Sequence, residues 1–132
     1  MQIKLTTDYA MRMLTYLAEK KAVASSGEIS EALNIPQPYV QSIGRKLKNE
    51  NYINITIGPF GGLSLIKDPE EITVYDIVML IEQSITLNRC LENERFCSRH
   101  AAQFCSVHAY FSKVQDALEE NMKAKTLASF LE

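Results

Sequence analysis

Cys90, Cys97 and Cys105 are the only cysteines of this chain, and they fall within sixteen residues after eighty-nine that contain none. Such clustering points to a metal or redox role. The spacing C-x6-C-x7-C is looser than the C-x2-C knuckles of structural zinc sites, yet short enough for one loop to wrap a cluster. An odd count leaves any disulfide framework one thiol over. Arg89, Arg95 and Arg99 lie beside the cysteines and favour thiolate over thiol. Both histidines, His100 and His108, are here too. Three thiolates cannot complete a four-ligand site, so an oxygen or nitrogen donor must, and a small molecule would attack that weaker position. Zinc on three Cys and one His ranks below a cluster at this spacing. The bland alternative is a set of small, half-buried apolar side chains.

The frame around these residues is modest. At 132 residues and 46% hydrophobic, the chain fits one globular unit, expected to be oligomeric. No apolar run approaches the roughly 20 residues of a membrane span, and Met1-Gln2-Ile3-Lys4 is not followed by a secretory core. A cytoplasmic location, where thiols stay reduced, is the expectation. Charge is uneven: residues 1–67 carry eight Lys/Arg against five Asp/Glu, net +3, and residues 68–132 carry six against eleven, net −5. The basic half suits a polyanion, unless these charges are ordinary solvated surface.

Periodicity supplies the elements. Tyr9, Met13, Tyr16 and Leu17, widened by Ala10 and Leu14, predict a first helix over residues 6–20. Ser25 and Glu28 read as a capping box before a short second helix with Ile29, Ala32 and Leu33 on its apolar face, stopped at Asn34. Pro36 and Pro38 introduce a third helix with Val40, Ile43 and Leu47 inward. Ile53, Ile55 and Ile57, then Gly58-Pro59-Phe60-Gly61-Gly62, then Leu63 and Leu65 read as a hairpin. The fold class is mainly α with a small β-hairpin. Three helices followed by that hairpin form a winged helix-turn-helix, whose third helix enters the DNA major groove. After Asp68-Pro69, Thr73 caps a fourth helix, and residues 106–125 form a long helix whose stripe of Val107, Tyr110, Phe111, Val114, Ala117, Leu118 and Met122 is too broad for one small core. A helix of about 20 residues spans about 30 Å, which suits a dimer seam. Thr126 caps a last turn with Leu127, Phe130 and Leu131 expected inward. Residues 1–67 are thus the DNA-binding region. Residues 68–132 hold a sensor loop (about 88–108) and dimerisation helices, packed with the first region as one unit.

The opening Leu5-Thr6-Thr7-Asp8-Tyr9-Ala10-Met11-Arg12, the glycine-tipped wing, the three-cysteine loop and the closing Lys125-Thr126-Leu127-Ala128-Ser129-Phe130-Leu131 together resemble the Rrf-two family, the group of IscR, NsrR, RirA and CymR. The resemblance covers nearly the whole chain. It implies a homodimer with two winged heads, crossed long helices and often an iron-sulfur cluster that sets affinity for promoter DNA. Members similar to IscR hold a 2Fe-2S cluster on three Cys and a His, a place matched by His108. Members similar to NsrR hold a 4Fe-4S cluster with an Asp from the partner's first helix, a place matched by Asp8. Without metal, Asp8 is a first-turn carboxylate that stabilises its helix by about 0.3 to 1 kcal/mol. A CymR-like alternative has thiols that sense oxidation without a cluster. Air can strip a cluster and leave three free thiols.

For DNA, Gln41 is the type that bonds adenine, Arg45 the type that reads guanine, Lys46 and Lys48 suit phosphates, and Tyr39 could bond a phosphate. Ser42 and Gly44 are expected to let the helix approach the duplex, with Gly61 and Gly62 contributing from the wing. Many family members place Arg before the glycine turn, where this chain has Ile57. Phe60 is expected to pack beneath the hairpin, the alternative being an apolar wedge against the sugar backbone. Two heads require a roughly palindromic duplex site. The expected function is a DNA-binding regulator, a repressor, whose cluster senses nitric oxide, redox state or iron. The alternative is a cluster-free winged-helix regulator or protein-docking module with zinc-bound or thiol-sensing cysteines. Neither a phosphate loop nor a Ser/His/Asp set is present, so no catalytic role is expected.

Overall fold

A computed structural model describes residues 2–93 and 97–131; Arg95, read above as a thiolate-favouring charge, lies outside them. Helix α1 (Leu5–Lys20) buries Ala10, Met13, Leu14, Leu17 and Ala18, with Tyr9 and Tyr16 on the flanks of that face. Met13, Leu14 and Leu17 have no exposed surface, and each such burial stabilises by about 1.5–3 kcal/mol. Lys21 ends the helix in the left-handed region, φ 55°, its N–H donating to the Leu17 carbonyl.

Helix α2 (Ser26–Leu33) starts as expected, with the Glu28 N–H donating to Ser25 Oγ at 3.1 Å. The reciprocal half of the capping box is not made. Glu28 turns its carboxylate toward α1 instead, where the Tyr16 hydroxyl (2.6 Å) and Lys20 Nζ donate to it. Asn34 stops α2 at φ 54°. Helix α3 (Gln37–Asn49) then buries Val40, Ile43, Gly44 and Leu47.

Strands β1 (Ile53–Thr56) and β2 (Gly62–Leu65) pair antiparallel, Ile53 opposite Leu65 and Ile55 opposite Leu63. Ile57 lies beyond the paired residues. The wing is fastened to the head by the segment before α2: Ala24 N–H donates to Leu63 O (2.9 Å) and Leu63 N–H to Ala24 O (2.7 Å). A Cβ on Gly62 would sit 2.3 Å from the Ala24 carbonyl oxygen, so only glycine permits this approach.

Helix α4 (Val74–Glu82) carries a complete capping box between Thr73 and Asp76, buries Ile77, Val78 and Ile81, and packs on both α1 and the later helix of residues 106–124. Helices α5 (Arg89–Glu92) and α6 (Ser106–Ala124) follow, and a 3-10 turn (Leu127–Phe130) closes the described chain. Leu127 N–H donates to Ile72 O and Val74 N–H to Lys125 O, returning the end of the chain to the core. Phe130 does not face inward as expected. It is 42% exposed beneath the Lys125 ammonium, 5.0 Å from its ring centre, because the tight turn aims Leu127 at the core instead. One apolar cluster runs from Ala10 through Leu63 and Ile77 to Leu127, joining both halves of the sequence. Among the described residues, no helix is long and apolar enough to cross a membrane.

Candidate nucleic-acid interface and cysteine segment

The apolar face of α3 is anchored in the core, so its other face is held outward. Gln41, Ser42, Arg45, Lys46 and Lys48 are all exposed, with no acidic residue on the helix. Gln41 and Arg45, four residues apart, line a groove of about 560 Å³ between α3 and the wing, with Ser25 and Ser26 at the start of α2. Gly58, Pro59, Gly61 and Gly62 form its other wall. That is a donor-rich cleft beside a basic helix, suited to a nucleic-acid backbone and base edges.

Gly44 and Phe60 have surroundings different from those expected, and Gly61 meets a steric demand of its own. Gly44 is buried beneath the wing, where an added Cβ would lie 3.0 Å from Leu63 Cδ2; its missing side chain serves helix–wing packing. Gly61 answers a steric demand of the hairpin, since a Cβ there would meet Thr56 O at 2.2 Å. Phe60 does not pack beneath the hairpin: it is 94% exposed, and Ile57 is 99% exposed. The strands are four residues each, too short to cover their own tip.

Tyr39 packs edge-on to Tyr9, centroids 5.7 Å apart, and Arg12 stacks over Tyr9 at 5.6 Å. Arg12 also pairs with Asp8 at 2.6 Å, so Asp8 has a cation partner within its own helix. This patch of α1 beside the start of α3 escaped sequence reasoning, although Tyr9 and Arg12 follow helical spacing.

In the cysteine segment, Cys90 lies on α5, Cys105 immediately precedes α6 without a side-chain capping bond, and His108 is in the first turn of α6. His108 Nδ1 lies 3.1 Å from Cys90 Sγ. The fold thus brings together two residues that lie 18 apart in sequence. All three thiols are free and half-buried. Backbone N–H groups of Ala101 first, then Arg99, hold the Cys97 thiol below its usual value against opposing burial, helped by His100 N–H and the Arg99 charge. His100 adopts φ 52° in this turn. Among the described residues, no three His, Cys, Asp or Glu side chains are gathered closely enough to hold a metal ion. The donors fit a thiophilic group in kind, with one Cys–His pair formed and the Cys97 thiol held below its usual pKa.

Two further residues tie this segment to the head. Gln115 is the buried residue of α6; its Oε1 accepts from Leu87 N–H (2.8 Å) and its Nε2 donates to Ile85 O (3.2 Å). Glu82 at the end of α4 accepts from Lys4 N–H (2.8 Å) and from the Thr7 hydroxyl. Burial works against the Glu82 carboxylate, but those two donors and the Lys4 charge together hold its pKa below the usual value. A glutamine amid Phe111, Val114 and Leu118 was the available sequence signal.

The sequence pattern of the Rrf2 family, described as iron-dependent transcriptional regulators, matches residues 3–132. An HTH-type transcriptional regulator of Aquifex aeolicus is 28% identical over 96% of this chain and 88% of its own length. NsrR of Shouchella clausii and NsrR of Halalkalibacterium halodurans are 30% and 31% identical, each over 71% of this chain and over 64% and 66% of their own. Among solved structures, CymR of B. subtilis, the global cysteine regulator, superposes with a TM-score of 0.78 at 23% identity, covering 100% of this chain and 99% of that one. IscR of T. potens superposes at 0.75 with 21% identity, covering 98% and 85%. A winged head with an outward basic helix, a family pattern spanning nearly every residue and this shared fold lead to one conclusion: the chain belongs to the Rrf2 family of DNA-binding transcriptional regulators.

Proposed function

We propose that the chain acts as a homodimeric repressor whose Cys90, Cys97 and Cys105 hold an iron-sulfur cluster, 2Fe-2S or 4Fe-4S, that responds to nitric oxide, redox state or iron supply. The observations that support this reading are the approach of His108 to Cys90 and, separately, a Cys97 thiol whose pKa backbone N–H groups lower. A fourth ligand comes from His108 or from Asp8 of the partner subunit; the latter requires Asp8 to leave Arg12. Such a cluster supplies a centre that gains or loses electrons and reacts with small gases.

The residues of the chain do the rest. Gln41 and Arg45 contact base edges of a roughly palindromic duplex, while Tyr39, Ser42, Lys46 and Lys48 hold its phosphates and Gly61 and Gly62 contribute contacts from the wing. Dimerisation uses α6, where Val107 and Tyr110 are 55% and 62% exposed and Phe111, Val114, Leu118 and Met122 are only half covered. Changes at the cysteines pass through Gln115 to residues 85–87, then through Glu82 to Thr7 and α1. The place of action is the cytoplasm.

Anaerobic purification with iron and sulfide assays and a visible spectrum, before and after nitric oxide, tests the sensor. Iron with matching sulfide and a bleachable band is expected; colourless protein after anaerobic reconstitution overturns the cluster. Duplex binding tests the head: log affinity should fall with log salt at about 0.9 per phosphate contacted. Arg45→Ala should cost about 1–3 kcal/mol at one base position. A second reading, a cluster-free thiol sensor, is favoured by the depressed pKa of the free Cys97 thiol. Rapid, selective oxidation of Cys97 in iron-free protein, with loss of DNA affinity, distinguishes it.

A further inference from the structure

The wing tip presents two large apolar side chains with almost nothing covering them: Ile57 is 99% and Phe60 94% exposed. They flank Gly58 and Pro59 in a turn closed by Gly61 N–H donating to Gly58 O at 3.0 Å, with the proline ring fixing one more torsion. Gly61 cannot gain a side chain without striking Thr56 O, so the turn is sterically confined as well. No residue from Ile53 to Ile66 carries a charge. The wing therefore lacks the cations with which proteins ordinarily engage a narrow, electronegative minor groove. Yet Gly58 and Pro59 line the same groove as Gln41 and Arg45 of α3. With α3 in the major groove, a tip at the far wall of that cleft meets the neighbouring minor groove.

We infer that Phe60, seconded by Ile57, is an apolar wedge that enters the minor groove beside the α3 site, partly unstacks one base step and kinks the duplex. Apolar wedges bend DNA toward the major groove by about 20–90°, most easily at flexible pyrimidine–purine steps. The wedge thus gives each half-site a preference for a deformable step that α3 never touches. A turn confined by its hydrogen bond, its proline and the close approach at Gly61 gives up less entropy on insertion than an open loop would. This inference rests on the DNA-binding reading of the head.

The test uses a duplex selected from a randomised pool by the wild-type protein, with dyes at both ends to report bending and 2-aminopurine at the wing-proximal step to report unstacking. Wild type should shorten the end-to-end distance and raise the 2-aminopurine signal. Phe60→Ser should bind about tenfold more weakly, lose at least about 20° of bend and leave 2-aminopurine quenched. Its salt slope should match wild type because no charge is removed. Ile57→Ser should show a smaller change in the same direction. A steep salt slope with equal bending in wild type and Phe60→Ser overturns the wedge and leaves the DNA reading standing. Absence of any salt-dependent affinity removes both. If Phe60→Ser instead dissolves a wild-type assembly larger than a dimer in DNA-free solution, the tip is a contact between copies, and the wedge is overturned.

Discussion

The DNA-reading head and the cysteine segment are built on opposite principles. In the head, each outward residue of α3 is fixed by an inward one: Val40, Ile43 and Leu47 are buried to within 2% exposure, and the wing is pinned by two backbone hydrogen bonds to Ala24. In the cysteine segment, α5 is a four-residue helix with no buried side chain, and the thiols are half covered. Apolar burial, with a few hydrogen bonds between elements, completes the first region. The second gathers its donors only in part, which suits a site whose final geometry comes with its ligand. The cysteine segment can therefore change shape without melting α3 and the wing.

Removing the thiols should separate the two regions most sharply. Replacing Cys90, Cys97 and Cys105 together with Ser should abolish iron retention after anaerobic reconstitution, while thermal unfolding followed by far-UV circular dichroism shifts by no more than about 0.5 kcal/mol per site. A collapse of helicity would mean that the cysteine segment supports the head. Gly61→Ala should do the reverse, destabilising the head by about 1–3 kcal/mol in denaturant titration while iron binding persists, because the new Cβ collides with Thr56 O.

The link between the regions should respond less strongly. Gln115→Ala strips Leu87 N–H and Ile85 O of their side-chain partners and should cost about 1 kcal/mol. Its sharper readout is a smaller difference in DNA affinity between iron-loaded and iron-free protein; an unchanged difference sinks the Gln115 route. Glu82 gives the smallest effect, seen through pH. Its folded pKa is depressed, so its contribution to stability is present above the unfolded value, about 4.3, and is lost as pH falls through the folded one. Glu82→Gln should flatten the loss of thermal stability over that acid window and change little at neutral pH.

Much of the head was legible from spacing, because helices and strands impose periods of 3.6 and 2 on which side chains can be buried together. The inward set of α3, the hairpin and the near bounds of α6 follow from that. Glu28 shows the limit: Ser-x-x-Glu reads as a local capping box, yet Tyr16 and Lys20 on another helix offer its carboxylate better partners. His108 shows it again, since its approach to Cys90, 18 residues away, comes from the packing of α5 on α6.

By itself, the sequence determined which residue types exist to do chemistry, three clustered thiols and an uncharged wing beside a basic helix, and which faces must be buried, because composition and period are local properties. Only the tertiary structure decided that Gly44 serves the wing, that Phe60 stands free at its tip, and that Gln115 and Glu82 bridge segments 28 and 75 residues or more apart. Those are contacts between distant parts of the chain. Their partners are set by how apolar faces pack, which no single stretch of sequence contains.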